Sequence, residues 1–286
     1  MVSRLCQTSR NALDSIFISS FIGLIDTAKY NNYFYILTTV SGILSMVGES
    51  IVAGVGNSIV TESKEKNRDD MTRLNFIYMC IAGWFAACLL CLYQPFTKLV
   101  FGAEMLFSND IVVMFTLYFY LLKMGDIRYV YSEAAGLWWE NRYRAIVEAA
   151  ANLILNYALG KLFGVRGIIM ATMLSMFFCN FLWGSAIIYR HYFTNARAVV
   201  FYRQHAVYAA VTLLIAGMTY GCCSLVAQGG ILGLSVKAII CAALPNALFL
   251  LIYRSTNRFQ DAALWIDKRF HLPGFLRQVV MRQFPQ

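Results

Sequence analysis

Long apolar stretches alternate with short polar ones along the whole chain. The apolar segments run at roughly 11–28, 31–60, 72–94, 110–132, 145–163, 167–189, 205–228 and 231–253. Crossing the hydrocarbon of a bilayer takes about 20 residues of helix, and most of these segments reach that length. None shows the alternating segments of about 10 residues that mark a membrane β-barrel. A helix also satisfies its backbone hydrogen bonds within the segment, as lipid demands. The pattern predicts an all-α polytopic membrane bundle with eight transmembrane helices. Pro245 lies inside the eighth span and predicts a kink or a local opening there. Residues 95–109, with Pro95 and Gly102, predict an interfacial connection.

Composition agrees. Of 286 residues, 59% are hydrophobic and only 14% charged, against about 25% charged in soluble domains. The mean hydropathy is +0.58. A disordered chain is excluded by the abundance of large apolar side chains. Residues 1–10 are basic and polar, but no small-residue cleavage site follows, so no cleavable signal peptide is expected.

The net charge is +9. With the N-terminus inside the cell, 17 of the 24 Lys and Arg fall on the cytoplasmic side, including Arg4, Arg10, Lys64, Lys66, Arg142, Arg197 and Arg254. Four fall outside: Lys29, Lys98, Lys161 and Arg166. This bias predicts cytoplasmic termini and explains the charge without a nucleic-acid partner. The basic tail 254–286 carries interspersed aromatics and reads either as a surface-lying segment or as a solvated tail.

Chemistry-bearing motifs are few. Seven of the eight Cys lie in apolar runs, and the single C-x-x-C, Cys88 with Cys91, lacks a second pair. They read as buried inert thiols. The three His form no ligand pattern. No nucleophile elbow, metalloprotease motif or P-loop is present. No catalytic residue, metal or cofactor is expected, and the chain is not expected to be an enzyme.

Ionisable groups at membrane depth are costly and usually face a bundle interior or a wet cavity. Glu49 lies about 27 Å along the second span, near mid-membrane, on a face with Thr38, Gly42, Ser45, Ala53 and Gly56. Either a small-residue helix contact or a cavity explains that face, and the carboxylate favours a cavity. In the fourth span Thr116, Tyr120 and Lys123 share a face, with Asp126 about 60° further round and Tyr131 near the Tyr120 side. Lys123 and Asp126 can pair along the helix. The tyrosine rings beside a cation suit a sugar-bearing, anionic substrate. Arg128 points away and is expected to snorkel. Glu148, Asn152 and Asn156 follow i+4 steps in the fifth span, as cavity lining or interhelical glue. Asp14 and Asp26 lie near the ends of the first span, where interface solvation suffices.

The stretch GLWWENRYRAIVEAAANLILNYALGKLFGVRGIIMATMLS (136–175) resembles a signature region of bacterial polysaccharide flippases, within the multidrug/oligosaccharidyl-lipid/polysaccharide exporter superfamily. LDSIFISSFIGL (13–24), YNNYFYI (30–36) and GVGNSIVTESKEK (54–66) are similar in the same order, and the resemblance covers about residues 4–195. It implies a bacterial cytoplasmic membrane protein with two six-helix lobes around a central cavity. Such a protein moves an undecaprenyl-diphosphate-linked glycan from the inner to the outer leaflet. Residues 1–189 then correspond to the second lobe, 190–253 to two additional helices and 254–286 to a cytoplasmic tail. The chain is expected to act as a fragment, with a separate N-terminal lobe or a second copy of itself. Two other expectations remain open: a multidrug or cation antiporter of the same superfamily, and a non-transporting remnant lobe.

Overall fold

The computed structural model describes residues 13–270. Arg4, Arg10, Asn11 and the tail beyond 270 lie outside the described residues. Those residues form helices and connections, with no strand among them. Six helical stretches are long and apolar enough to cross a membrane: Leu24–Thr61, Lys64–Phe101, Trp138–Phe163, Val165–His191, Ala198–Ser224 and Gly230–Tyr253. The chain is a multi-pass membrane protein of the helical-bundle class.

The first and fourth predicted spans are not single helices. The first ends early: α1 covers 13–21, and a break at 22–23 precedes α2 (Leu24–Ser50). Gly23 takes φ 138°, a conformation that favours glycine. Asp26 therefore belongs to the first turn of α2, where an acid suits the helix dipole. The fourth span is also broken. It forms α5 (Asn109–Lys123) and α6 (Asp126–Ala134), joined by a turn at Met124–Gly125.

The remaining elements follow local rules. A turn at Ile51 separates α2 from α3 (Val52–Thr61). The Ser63 side chain caps α4 (Lys64–Phe101) by accepting from the Lys66 amide at 3.2 Å. At 38 residues α4 is about 57 Å long, so it projects beyond any hydrocarbon layer at its charged start. Gly164, at φ 60°, turns α7 (Trp138–Phe163) into α8 (Val165–Ser175). A π-helical segment, Met176–Trp183, carries α8 into α9 (Gly184–His191). Then come α10 (Ala198–Ser224), α11 (Gly230–Tyr253) and α12 (Asn257–Phe270).

The long helix α4 is the axis of the bundle, packed by α2, α5, α6, α10, α11 and α12. Gly83 lets α10 and α11 approach it: a Cβ there would lie 2.6 Å from Thr212 Oγ1 and 2.7 Å from Phe249 Cζ. Tyr33, Tyr93, Phe107 and Phe115 cluster at one end. There the Tyr33 hydroxyl donates to Gln94 Oε1 at 2.9 Å and accepts from the Phe107 amide at 3.2 Å. At the opposite end Asn195 Nδ2 donates to Glu65 Oε1 at 3.1 Å, and Arg258 Nη1 donates to the Tyr208 hydroxyl at 3.1 Å. The loops rich in basic residues thus gather at one end. Large apolar side chains such as Trp138, Trp139, Ile154, Leu213, Ile231 and Ile239 point outward, as a lipid-facing surface requires. Arg142 lies over the rings of Trp139 and Tyr143, at 3.5 and 4.3 Å, an arrangement suited to a membrane interface.

Candidate functional site

The polar residues singled out in the sequence divide into two buried networks and several separate positions. The first network ties α1, α2, α7 and α8 together through Asp14, which has no exposed surface. Its carboxylate accepts from the Tyr30 hydroxyl at 3.0 Å, Asn156 Nδ2 at 2.7 Å and Thr172 Oγ1 at 3.1 Å. Asn152 Nδ2 donates to Thr172 Oγ1 at 3.0 Å, and Asn156 Nδ2 to Asn152 Oδ1 at 3.2 Å. Asn152 and Asn156 therefore join helices inside the bundle. The expectation of interface solvation for Asp14 is corrected: the acid faces inward, held by donors from three other helices. One turn nearer the basic end, Arg144 Nη1 pairs with Glu148 at 3.0 Å, and both are buried.

The second network sits at the α5–α6 break. Lys123 ends α5 and Asp126 begins α6. Lys123 Nζ donates to Ser45 Oγ on α2 at 2.9 Å and to Asp126 Oδ2 at 3.2 Å. The same Asp126 oxygen accepts from the Tyr78 hydroxyl of α4 at 2.5 Å. Lys123 is 3% exposed and Asp126 32%. The cation is thus buried and fixed by three helices, while its counter-ion reaches the surface. Two of the three ammonium donors are engaged. The pairing expected along one helix is present, but it spans a break between two.

The other candidates lie apart. Glu49 is exposed, about 100–140° round α2 from the buried Leu37, Leu44 and Gly48, and one turn from Ser45. Thr38, Gly42 and Ala53 share its exposure. Tyr131 is buried. Tyr120 lines a cleft of about 690 Å³ between α4, α5, α8 with the π segment, and α10, of which Lys123 is not a part. That cleft is apolar, with Met170, Met173, Phe177 and Leu213 in its wall. Its polar points are few. The Tyr120 and Thr212 hydroxyls are two of them. His205 is fully buried, with its Nε2 3.0 Å from Asn75 Nδ2 and its ring against Phe181 and Phe201.

Arg128 overturns its expectation. It does not snorkel: it has no exposed surface. Its Nη2 donates to both the backbone oxygen of Asn180, at 3.2 Å, and the Asn180 side chain, at 2.9 Å. Asn180 lies in the π-helical segment, where the widened turn alters the carbonyl ladder. Gly184 makes room, since a Cβ there would clash with the guanidinium. The importance of Asp14, Arg128 and His205 escaped the sequence reading. Each sits near a span end by pattern, and only the helix rotation turns it inward.

Comparisons of the chain with protein-family models, with curated proteins and with solved structures return no match.

Proposed function

We propose that this protein takes part in moving a lipid-linked oligosaccharide, carried on undecaprenyl diphosphate, from the inner to the outer leaflet of a bacterial cytoplasmic membrane. The observation that carries this reading is the broken helix α5–α6, with Lys123 and Asp126 on either side of the break. Discontinuous helices bearing ionisable groups within a membrane bundle are a recurrent way to build a transport site. On this reading α5 and α6 cross together as one span beside the six long helices, and the basic end of the bundle is cytoplasmic. Asp126 exposes the network, and Lys123 meets the diphosphate or an acidic sugar when that pair opens.

The exposed face of Glu49, Thr38, Gly42 and Ala53 is poorly suited to lipid. A central charge costs about 2.5–3.5 kcal/mol there on insertion scales. We assign it to a second lobe, either a separate polypeptide or another copy of this chain, facing it across the substrate path.

The test is glycan export in a flippase-deficient strain supplied with this chain and its partner lobe. Lys123→Ala and Glu49→Ala should each lower export while the protein inserts at wild-type level. Unchanged export, or losses that follow protein level, would reject the assignment. Impermeant labelling of Lys66→Cys in intact cells would reject the orientation.

The apolar cleft behind Tyr120 favours a second reading, an exporter of hydrophobic compounds from the same superfamily. In that case Tyr120→Ala and Thr212→Val alter resistance to lipophilic cations and leave glycan export untouched.

A further inference from the structure

We propose that Cys91, Cys223 and Cys241 form a binding site for a soft monovalent metal ion, Cu(I), between α4, α10 and α11. This goes beyond transport of any substrate. The three sulfurs lie within 4.8 Å of one another. Those of Cys223 and Cys241 are 3.9 Å apart. Three thiolates bound at about 2.3 Å to one ion stand roughly 4.0 Å from each other in a trigonal plane. The sulfurs are therefore close to a ligating arrangement before any ion arrives.

Chemistry selects the ion. All three residues are buried in a small cluster that also contains Cys88, Leu92 and Ile240. No His or carboxylate joins the group among the described residues. A structural zinc site needs four ligands, and the fourth sulfur nearby, Cys88 Sγ, is outside the group and turned to the Cys241 carbonyl; soft thiolates alone suit Cu(I). Three thiolates around Cu(I) leave two negative charges, and loading them releases three protons. Lys237 lines the adjacent cleft and offsets part of that charge. The cleft, about 270 Å³, also supplies a route for the ion and the protons: Cys91 and Cys223 form part of its wall, with Gln94, Asn109 and Ser224 as polar neighbours.

The ligands are held by their surroundings. A helical carbonyl at position 241 would accept from the amide of residue 245, but Pro245 has none. The freed Cys241 oxygen instead accepts from Trp84 Nε1 at 2.8 Å and from Cys88 Sγ at 3.7 Å. Pro95 stands in the same relation to Cys91. Both cysteines thus sit where the helix ladder is open, and α4 grips the Cys241 backbone. Orienting contacts of this kind are what hold metal ligands in register.

The test uses the purified, reduced full chain in detergent without oxygen. Cu(I) is added in competition with a coloured Cu(I) chelator, and the retained metal is examined by X-ray absorption. The expected result is one Cu(I) per chain in an all-sulfur shell at about 2.3 Å. Cys223→Ser and Cys241→Ser should each weaken binding by more than about 100-fold, and Trp84→Phe by roughly tenfold. Cys222→Ser, at an exposed position, should leave it unchanged. Circular dichroism of each variant separates lost ligation from lost folding, and the wild-type absorption spectrum needs no variant at all. A nitrogen or oxygen shell would overturn the proposal. So would equal weakening by Cys222→Ser, preferential retention of Zn²⁺ over Cu(I), or a Cys223–Cys241 disulfide in a chain that holds no copper.

Discussion

Trp84 on α4 donates its indole N–H to the backbone carbonyl of Cys241 on α11, across 2.8 Å. The contact exists because Pro245, four residues on, offers that carbonyl no amide. A proline inside a membrane helix thus creates an acceptor, and a neighbouring helix fills it. The sequence predicted a kink or an opening at Pro245; the structure shows which atom is opened and what satisfies it.

Trp84→Phe should destabilise the bundle by about 1–3 kcal/mol, the cost of leaving a buried carbonyl short of its donor. Pro245→Ala restores the helical amide. In that background Trp84→Phe should therefore cost less than it does alone, a non-additivity that marks direct coupling. Thermal unfolding of the four proteins in detergent measures it. Strictly additive losses would mean the indole acts only by packing.

Asp126→Asn should destabilise more than Lys123→Met. Lys123 is 3% exposed and keeps only Ser45 when Asp126 is neutral, whereas Asp126 keeps Tyr78 and some solvent when Lys123 is gone. Orphaning a buried charge costs up to about 3–5 kcal/mol, and removing both charges recovers much of it. The double variant should melt above Asp126→Asn. Melting below both single variants would contradict this.

Arg128→Lys should be severe. One guanidinium nitrogen meets two Asn180 oxygens at fixed angles, and an ammonium on a flexible stem does not reproduce that geometry. A snorkelling side chain would tolerate Lys with little change. We expect a loss of roughly 2 kcal/mol or more, measured by melting and by the yield of folded protein.

Gly167→Ala should prevent α7 and α8 from packing. A Cβ at 167 would collide with the backbone carbonyl of Leu159, and backbone in a helix has nowhere to go. Gly42→Ala, with open space around it, should be tolerated when the chain is examined alone. Proteolysis of the two variants in detergent separates them. Comparable resistance would show that α7 and α8 have room to separate.

Long apolar runs were legible in the sequence because span length is a local property: lipid offers no partner for backbone polar groups. Sequence patterning located the six long helices and the opening at Pro245. It missed the breaks at Gly23, Ile51 and Gly125. Helical periodicity also tells which residues share one face of a helix, but not which helix that face meets. Rotation about the helix axis, set by close contacts such as Gly83 on Thr212, turned Asp14 and Arg128 inward and left Glu49 on the surface. The same rotations brought Cys91 of α4 to Cys223 of α10 and Cys241 of α11. No spacing along the chain announces that meeting, because each cysteine alone reads as one more apolar residue in a span.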